Sequence, residues 1–450
     1  MKKIKITLLI VILFSGALVF YSCNKPKNKE AHTTIIQVHV PNPDGLPGTK
    51  IAFDYEVSFE PLIEFFGEAF PVKILSTAAI ETFPPDDSPR MINTDDYIGD
   101  SFGDFGVTLS IKNSSEVSSE GDSEVRVPFR IEIEGDRFIK KSSLDVQIPQ
   151  DKKFEIFPRI VYDYKALEKL TQPASENVSF RLFYGSVPLI EKTAIVRFHS
   201  VNEIPFYVKD RRDENNIEDY TEYFAAYVNE DDPLIDKILQ EALQIGTVEK
   251  IGLGDFNSFS GYQIKDDDGD SSLAVDLQVL AIWSVFLKHN IKYSNITTTS
   301  TANNKINTQY VRTLGESFGN AQANCVDGSV LFASVLRKIG IETALIILPG
   351  HMLVAYLRTE DSDADSSWGF LETTMLGNVN ISKYTKDESL WGKFKNFTGL
   401  GKTQSSVTLD SFLAALEAGE EKITETDGDS IKIIDISTWR YFGIMPIVRQ

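Results

Sequence analysis

Three residues in the second half of the chain are of the types that together carry out nucleophilic chemistry. Cys325, His351 and Glu372 follow one another in the order nucleophile, base and acid. A cysteine nucleophile needs a nearby base, and the base needs a third group that holds its tautomer. The separations are short enough for one helix followed by two neighbouring strands. The combination points to attack of a thiolate on a carbonyl carbon.

The residues around Cys325 predict a helix that begins at the cysteine. Asn324 is a good N-cap, and Asp327 stands three residues later, where the acid of a capping box belongs. Gly340 is expected to end the helix in the left-handed conformation. Cys325 then lies in the first turn, where the helix dipole and unpaired backbone N–H groups favour the thiolate, the reactive form. The buried surface is predicted to consist of Val326, Val330, Leu331, Ala333, Val335, Leu336 and Ile339.

Two more helices are predicted before the cysteine. The first begins at Pro233, capped by Asp231 or Asp232, and ends at Gly246. The second is capped by Ser271 or Ser272 and continues to Leu287. It is apolar on most sides, so we expect it to be buried.

Strands are predicted at residues 291–293, 343–348 and 352–357, and the last two flank His351. Helices followed by a sheet that carries the histidine and the acid indicate an α+β domain.

The first part of the chain has the pattern of short strands separated by turns. Many short strands at this spacing indicate an antiparallel, immunoglobulin-like β-sandwich over residues 33–203. No nucleophile–base arrangement stands out here, and His199 has no evident ligand companion, so a structural or binding module is expected. Residues 202–222 are interpreted as a charged connector. The predicted strand segments are 33–40, 50–59, 107–112, 124–134, 153–163, 179–184 and 192–199.

Length and charge narrow the possible functions. A chain of 450 residues predicts two or three domains. The net charge of −20 argues against nucleic acid as a partner, because such a protein needs a basic face.

The N-terminus has the features of a secretory signal. Lys2, Lys3 and Lys5 precede an apolar run that ends at Tyr21, and Cys23 follows. A basic start, a short apolar segment and a cysteine at the cleavage point predict a bacterial lipoprotein with residues 1–23 as signal peptide and lipid on Cys23. An uncleaved membrane anchor or an ordinary signal peptide is the alternative. Residues 24–32 are polar and suit a flexible tether.

The cysteine count adds a further clue. The chain has two cysteines, so a lipidated Cys23 would leave Cys325 as a lone thiol in an oxidising compartment. A free thiol there is worth attention as a reactive group. The alternative is an inert, buried cysteine on a core helix.

No cofactor or paired-ligand metal site is predicted. The acidic run Asp266-Asp267-Asp268-Gly269-Asp270 has only a faint likeness to a calcium loop, because it lacks the spacing and the closing glutamate of an EF-hand. A solvated loop is the alternative. Residues 376–404 are expected either to cover the site or to form a peripheral insertion.

Several segments of the second half of the chain match the motifs of a known family. They are Gln309-Tyr310-Val311-Arg312, Asn324-Cys325-Val326-Asp327 with Leu331-Phe332-Ala333-Ser334, Pro349-Gly350-His351 and Trp368-Gly369-Phe370-Leu371-Glu372-Thr373-Thr374. Through these segments, residues 308–374 resemble the transglutaminase-like superfamily, which has a papain-like cysteine fold. The similarity extends to outer segments that begin at Ala225 and end at Pro446, so that roughly residues 215–450 are covered.

The resemblance implies a role for each residue. Cys325 is expected to be the nucleophile, His351 its base, and Glu372 the group that orients His351, at a position where the family more often has aspartate. The backbone N–H of Cys325 and the side chains of Gln322 or Gln309 are candidates for binding the oxyanion. Asp327 is interpreted as a helix cap.

Together these patterns predict thiol-dependent acyl transfer or hydrolysis on peptide amides in the cell envelope. Protein or cell-wall peptides are the expected substrates, and the membrane is a partner through the lipid. The main alternative is a peptide- or protein-binding surface lipoprotein that has this fold without catalysis.

Overall fold

The computed structural model describes residues 34–38, 53–62, 65–83, 88–113, 126–149, 152–210, 213, 215–248, 258–265, 269–294, 304–360, 367–377 and 405–447. The predicted signal peptide, Cys23, the tether, Asp266 to Asp268 and residues 378–404 lie outside these ranges. In the part that is described, no helix is both long and apolar enough to cross a bilayer.

The chain has a mixed α and β fold with several sheets, and strands dominate its first half. A six-stranded sheet has the order β1-β2-β8-β12-β7-β6, and a five-stranded sheet has the order β11-β9-β14-β15-β3. The strands are β1 (Thr34–Val38), β2 (Phe53–Pro61), β3 (Glu68–Ala69), β4 (Thr82–Phe83), β5 (Ser88–Pro89), β6 (Met91–Asn93), β7 (Tyr97–Asp100), β8 (Phe105–Asn113), β9 (Arg126–Gly135), β10 (Ile139–Lys140), β11 (Ser142–Pro149), β12 (Lys153–Phe157), β13 (Val161–Tyr162), β14 (Ala174–Tyr184) and β15 (Val187–Phe198).

The two large sheets share one apolar core. Tyr55 and Leu109 from the first sheet and Ile131 and Phe180 from the second belong to the same buried cluster. Each predicted strand segment overlaps an observed strand. The unit is not purely antiparallel β-structure, since α1 (Pro71–Ser76) and α2 (Tyr164–Glu168) lie within this part, and β7/β12 and β3/β15 are parallel pairs. Its immunoglobulin-like character stays a prediction.

A buried histidine joins this part to the strands that follow. His199, directly after β15, is fully buried, and its ring stacks on Phe70 with centroids 4.2 Å apart. Its Nδ1 lies 3.0 Å from a carboxylate oxygen of Glu203, and its Nε2 contacts the carboxylate of Glu68. Burial lowers the pKa of His199, but the two glutamates raise it more, so the net shift is upward. His199 therefore has companions that the sequence did not reveal.

The segment interpreted as a charged connector is folded into a sheet. β16 (Glu203–Lys209) pairs with β17 (Ile217–Asp219) on one side and with β19 (Ile306–Tyr310) on the other. The connector prediction is wrong because the strand partner of β16 lies about a hundred residues later in the chain. The apolar residues Ile204 and Val208 of β16 are fully buried.

The second half of the chain supplies longer helices and a central sheet. The helices are α3 (Pro233–Val248), α4 (Ser272–Lys288), α5 (Leu314–Gly319), α6 (Cys325–Lys338), α7 (Ser405–Glu425) and α8 (Ile436–Tyr441), with short 3-10 turns at Thr221–Tyr227, Thr373–Met375 and Gly428–Ser430. The remaining strands are β18 (Lys292–Tyr293), β20 (Gln322–Ala323), β21 (Thr343–Leu348), β22 (His351–Leu357), β23 (Trp368–Leu371) and β24 (Lys432–Asp435).

The predicted helices α3, α4 and α6 are confirmed, with small differences at their ends. α3 continues to Val248, past Gly246, and the Asp232 carboxylate accepts from the backbone N–H of Leu234. The side chain of Ser271 does not cap α4; the carboxylate of Asp270 instead accepts from the N–H of Ser272. The predicted capping group was a serine hydroxyl, whereas the structure uses the carboxylate of the preceding aspartate, Asp270.

The central sheet has the order β23-β22-β21-β24 and lies between two apolar layers. Leu345 and Val354 belong to the large core that also contains Val330 of α6. Ile346 and Leu353 point to the other side, where Ile423 of α7 packs. The alternation along β21 and β22 thus places α6 against one face of the sheet and Ile423, near the end of α7, against the other.

Candidate active site

Cys325 is the first residue of α6, and its position is set by a capping box. Asn324 accepts from the backbone N–H of Asp327 at 2.8 Å, and Asp327 accepts from the N–H of Asn324 at 3.0 Å. Gly340 has φ of +77°, as expected for the residue that ends the helix. The predicted helix cap and its two residues are therefore confirmed.

Asp327 also ties this helix to the segment after β19. Its carboxylate accepts from the backbone N–H of Arg312 at 2.8 Å and from the Arg312 guanidinium at 2.5 Å. Burial raises the pKa of Asp327, and its hydrogen-bond donors counter only part of that rise. Both oxygens of this buried group hold the start of α6, which leaves Asp327 a structural rather than a catalytic task.

His351 and Glu372 are brought together by neighbouring strands. His351 begins β22, directly after Gly350, whose φ of +71° makes the tight turn from β21. Glu372 follows β23, the next strand of the sheet. The imidazole Nε2 lies 2.6 Å from the Glu372 Oε2. One ring nitrogen is thus oriented by a carboxylate, and the other, Nδ1, remains for a second partner.

The ring also interacts with Cys325, which is a free, half-buried cysteine. The structure therefore brings the three predicted residues together. Burial lowers the pKa of His351, but the interactions with Cys325 and Glu372 outweigh burial and raise the pKa to about 9. At neutral pH this favours the imidazolium form of His351 beside Cys325.

Glu372, the third residue of the candidate triad, is fixed by burial and by hydrogen bonds. Glu372 is almost fully buried, and its Oε1 accepts from the N–H and the hydroxyl of Thr374 at 3.0 and 2.6 Å. Burial raises the pKa of Glu372, but His351 and Thr374 outweigh it and leave the pKa below its ordinary value. Glu372 is therefore a charged acceptor fixed towards Nε2, despite being longer than aspartate.

The two glutamines predicted as oxyanion donors lie in different settings. Gln322 is on β20, three residues before Cys325, with its side chain exposed. The side-chain amide of Gln309 donates to the backbone carbonyl of Tyr310 at 2.8 Å. An oxyanion role for either side chain remains a prediction, as it does for the N–H of Cys325 in the first turn of α6.

Tyr293 is a neighbour of the site that the sequence did not single out. β18 pairs in parallel with β20, so that Tyr293 lies opposite Ala323, just before the N-cap of α6. Burial raises the pKa of Tyr293, and the negative charges of Cys325 and Glu372 raise it further. This partly exposed ring therefore lies within electrostatic reach of the thiol. The only feature of the sequence that pointed to Tyr293 was its place in the strand predicted at residues 291–293.

A glycine allows α6 to approach the segment that carries Glu372. A Cβ added at Gly328 would lie 2.6 Å from the hydroxyl oxygen and 2.9 Å from the Cβ of Thr373, the residue after Glu372. Thr373 is itself buried. Close contact at Gly328 thus sets the distance between the cysteine helix and the acid.

We expect Gly328→Ala to slow iodoacetamide alkylation of Cys325 at pH 6 several-fold. The added methyl group forces Thr373 and Glu372 away, at about 1–3 kcal/mol of overpacking, which exceeds the gain of about 1 kcal/mol in helix propensity. Rates measured on the Cys325 peptide by mass spectrometry, with urea unfolding in parallel, test both effects. Gly315→Ala on α5 is the matched control, because its Cβ would meet nothing within 4 Å. A Gly328→Ala protein with unchanged alkylation and stability would contradict this account.

The described residues contain no group of three His, Cys, Asp or Glu side chains arranged to hold a metal ion. The calcium prediction concerns Asp266 to Asp268, outside those residues, and stays a prediction. No protein-family model matches this chain, and none of the curated proteins compared with it is a match.

Proposed function

We propose that the chain catalyses thiol-dependent acyl transfer or hydrolysis on peptide amides, with Cys325 as nucleophile and His351 as acid and base. The observation that carries this proposal is a histidine that interacts with a cysteine in the first turn of a helix and whose Nε2 lies 2.6 Å from a buried carboxylate. Nucleophile, base and orienting group in this order are the requirement for an activated thiol.

In the proposed reaction the Cys325 thiolate attacks the carbonyl carbon, and a carbon–sulfur bond forms as the oxygen becomes an oxyanion. The first N–H groups of an α-helix have no partner within the helix, and the N–H of Cys325 can donate a hydrogen bond to this oxyanion. The imidazolium of His351 gives its proton to the amine as the carbon–nitrogen bond breaks. Water or a second amine then attacks the thioester, and His351 takes a proton from this attacking group. The carbon–sulfur bond breaks as the new carbon–oxygen or carbon–nitrogen bond forms, which releases the product and regenerates the thiolate.

The finer features of the fold belong to the same proposal. Residues 215–450 would have the transglutaminase-like, papain-like fold, supported by a cysteine at the start of α6 and partners on β22 and after β23. Residues 33–203 would form an immunoglobulin-like sandwich, supported by two sheets with a shared core. Its proposed task is to recognise or present the substrate.

The proposed location is the cell envelope, with the chain anchored by lipid on Cys23. The support is the sequence of residues 1–23, which lie outside the described ranges. Proteins and cell-wall peptides are the proposed substrates for this location, and the membrane is a partner through the anchor only.

A mixed peptide library tests the function and also separates its two forms. The full chain and Cys325→Ala are incubated with tryptic peptides and a labelled primary amine, and the products are identified by mass spectrometry. We expect peptides cleaved at amide bonds, or peptides that carry the labelled amine, with the parent chain but not with Cys325→Ala. Peptides that bind to both proteins but are neither cleaved nor modified by either of them would contradict catalysis and favour a binding module.

A further inference from the structure

Helix α7, which was not predicted from the sequence, packs along β23, the strand that Glu372 follows. Ala415, Gly419 and Lys422 are spaced by four and three residues, so they share one face of the helix. The carbonyl of Ala415 accepts from the backbone N–H of Glu372 at 3.1 Å. A Cβ at Gly419 would overlap the carbonyl oxygen of Phe370. One face of α7 is thus built for close contact with this strand.

The third residue of that face reaches the acid itself. Nζ of Lys422 lies 3.7 Å from Oε2 of Glu372, the same oxygen that lies 2.6 Å from Nε2 of His351. The Lys422 side chain is 41% exposed, while that of Glu372 is 2% exposed. Two cationic side chains therefore share one oxygen of a buried carboxylate. Lys422 can be substituted without leaving a cavity in the core, because its side chain is partly exposed.

We propose that Lys422 is a positioning residue of the candidate site, which shares the charge of Glu372 with His351 and so limits how tightly the imidazolium is held. The proposal rests on the proposed function, because it concerns how His351 gives up its proton in each half of that reaction. α7 makes this possible by docking at Ala415 and Gly419.

The consequence follows from the groups that face this carboxylate. They are His351 from β22, Lys422 from α7, and the more distant Cys325 and Tyr293, whose charges are coupled to it or to His351. A second cation on Glu372 weakens its attraction for the imidazolium. The pKa of His351 is about 9 with Lys422 in place. Without Lys422 it should be higher, and His351 would be a poorer base at neutral pH.

The test compares Lys422→Met with Lys422→Arg, which keeps the charge. Alkylation of Cys325 in the full chain by iodoacetamide is followed from about pH 5 to 11, and the rate should change near pH 9 as His351 loses its proton. We expect Lys422→Met to move this change upward by about half a pH unit, and Lys422→Arg to leave it in place. In about 1 M salt the difference between the two variants should shrink, because the charge of Lys422 is partly exposed.

Identical pH profiles in Lys422→Met, Lys422→Arg and the parent chain would overturn the proposal. A second result would also overturn it: Lys422→Met reacts more slowly with the anion iodoacetate, but its pH profile with neutral iodoacetamide does not shift. In that case Lys422 would only bind anionic reagents. If the parent chain itself reacts as an ordinary thiol, the proposed function fails and this inference fails with it. If the parent chain reacts fast but its pH profile does not change when Lys422 is substituted, only this inference fails and the proposed function stands.

Discussion

We expect His351→Ala to slow alkylation of Cys325 at pH 5 by roughly 10- to 100-fold. An isolated thiol ionises near pH 8.5, so its thiolate fraction at pH 5 is on the order of 10⁻³ to 10⁻⁴. The imidazolium of His351 supports the thiolate at this pH, and the variant lacks it. The rate ratio is smaller than the ratio of thiolate fractions, because thiolates of low basicity are weaker nucleophiles.

The shape of the pH profile is as informative as the size of the effect. Below about pH 8 the rate of the parent chain should depend less on pH than that of the variant, because the imidazolium of His351 is present there. The variant should gain about tenfold per pH unit below the thiol's ordinary range. Since His351 loses its proton near pH 9, parent and variant should converge at pH 10. Glu372→Gln should lie between them, because the amide orients the ring without charge. Parallel profiles for parent and His351→Ala would contradict a shared proton.

We expect Asp327→Ala to lower the free energy of unfolding by about 3–5 kcal/mol, the range for breaking one side of a buried ion pair. Asp327 is 1% exposed and accepts from Arg312 twice and from Asn324 once. The substitution removes all three bonds and the capping box at the start of α6. Urea unfolding measures the loss, and alkylation of Cys325 in the native range should slow because the first turn no longer fixes the thiol.

Asp327→Asn is the control for this prediction. Its amide oxygen can keep the bond from Asn324 while its charge is lost, so it should cost less than the alanine variant and retain more of the Cys325 reactivity. An Asp327→Ala protein as stable as the parent would show that the Arg312 contact contributes little. A stable but unreactive Asp327→Ala protein would instead indicate a direct part in the chemistry.

Local signals made the cysteine helix predictable. The cap at Asn324, the acid at Asp327 and the glycine at 340 each act within one helical turn, so their pattern is readable without the rest of the chain. The strands around His351 were predictable for a similar reason, since apolar β-branched runs flank a Pro-Gly turn. The candidate triad follows from these elements because neighbouring strands of one sheet end close together.

Contacts between distant segments were not predictable. β16 reads as a charged connector because its partner β19 is far away in sequence, and His199 gains Glu68 and Glu203 only after folding. The side-chain amide of Gln309 donates to the carbonyl of the next residue, Tyr310, which is a local contact that the sequence pattern also did not reveal. Lys422 is the single basic residue of α7, and only the docking of Ala415 and Gly419 shows that it meets Glu372.

The most direct test of the account is acylation of the full chain by p-nitrophenyl acetate, with the acetyl group located by mass spectrometry. We predict a burst of about one nitrophenolate per chain, as covalent catalysis produces, with the acetyl group on Cys325 as a thioester. The burst should be absent from Cys325→Ala and slow in His351→Ala. Acetyl groups found on lysines but not on Cys325, or a rate at Cys325 unaffected by His351→Ala, would contradict the assignment of Cys325 as an activated nucleophile.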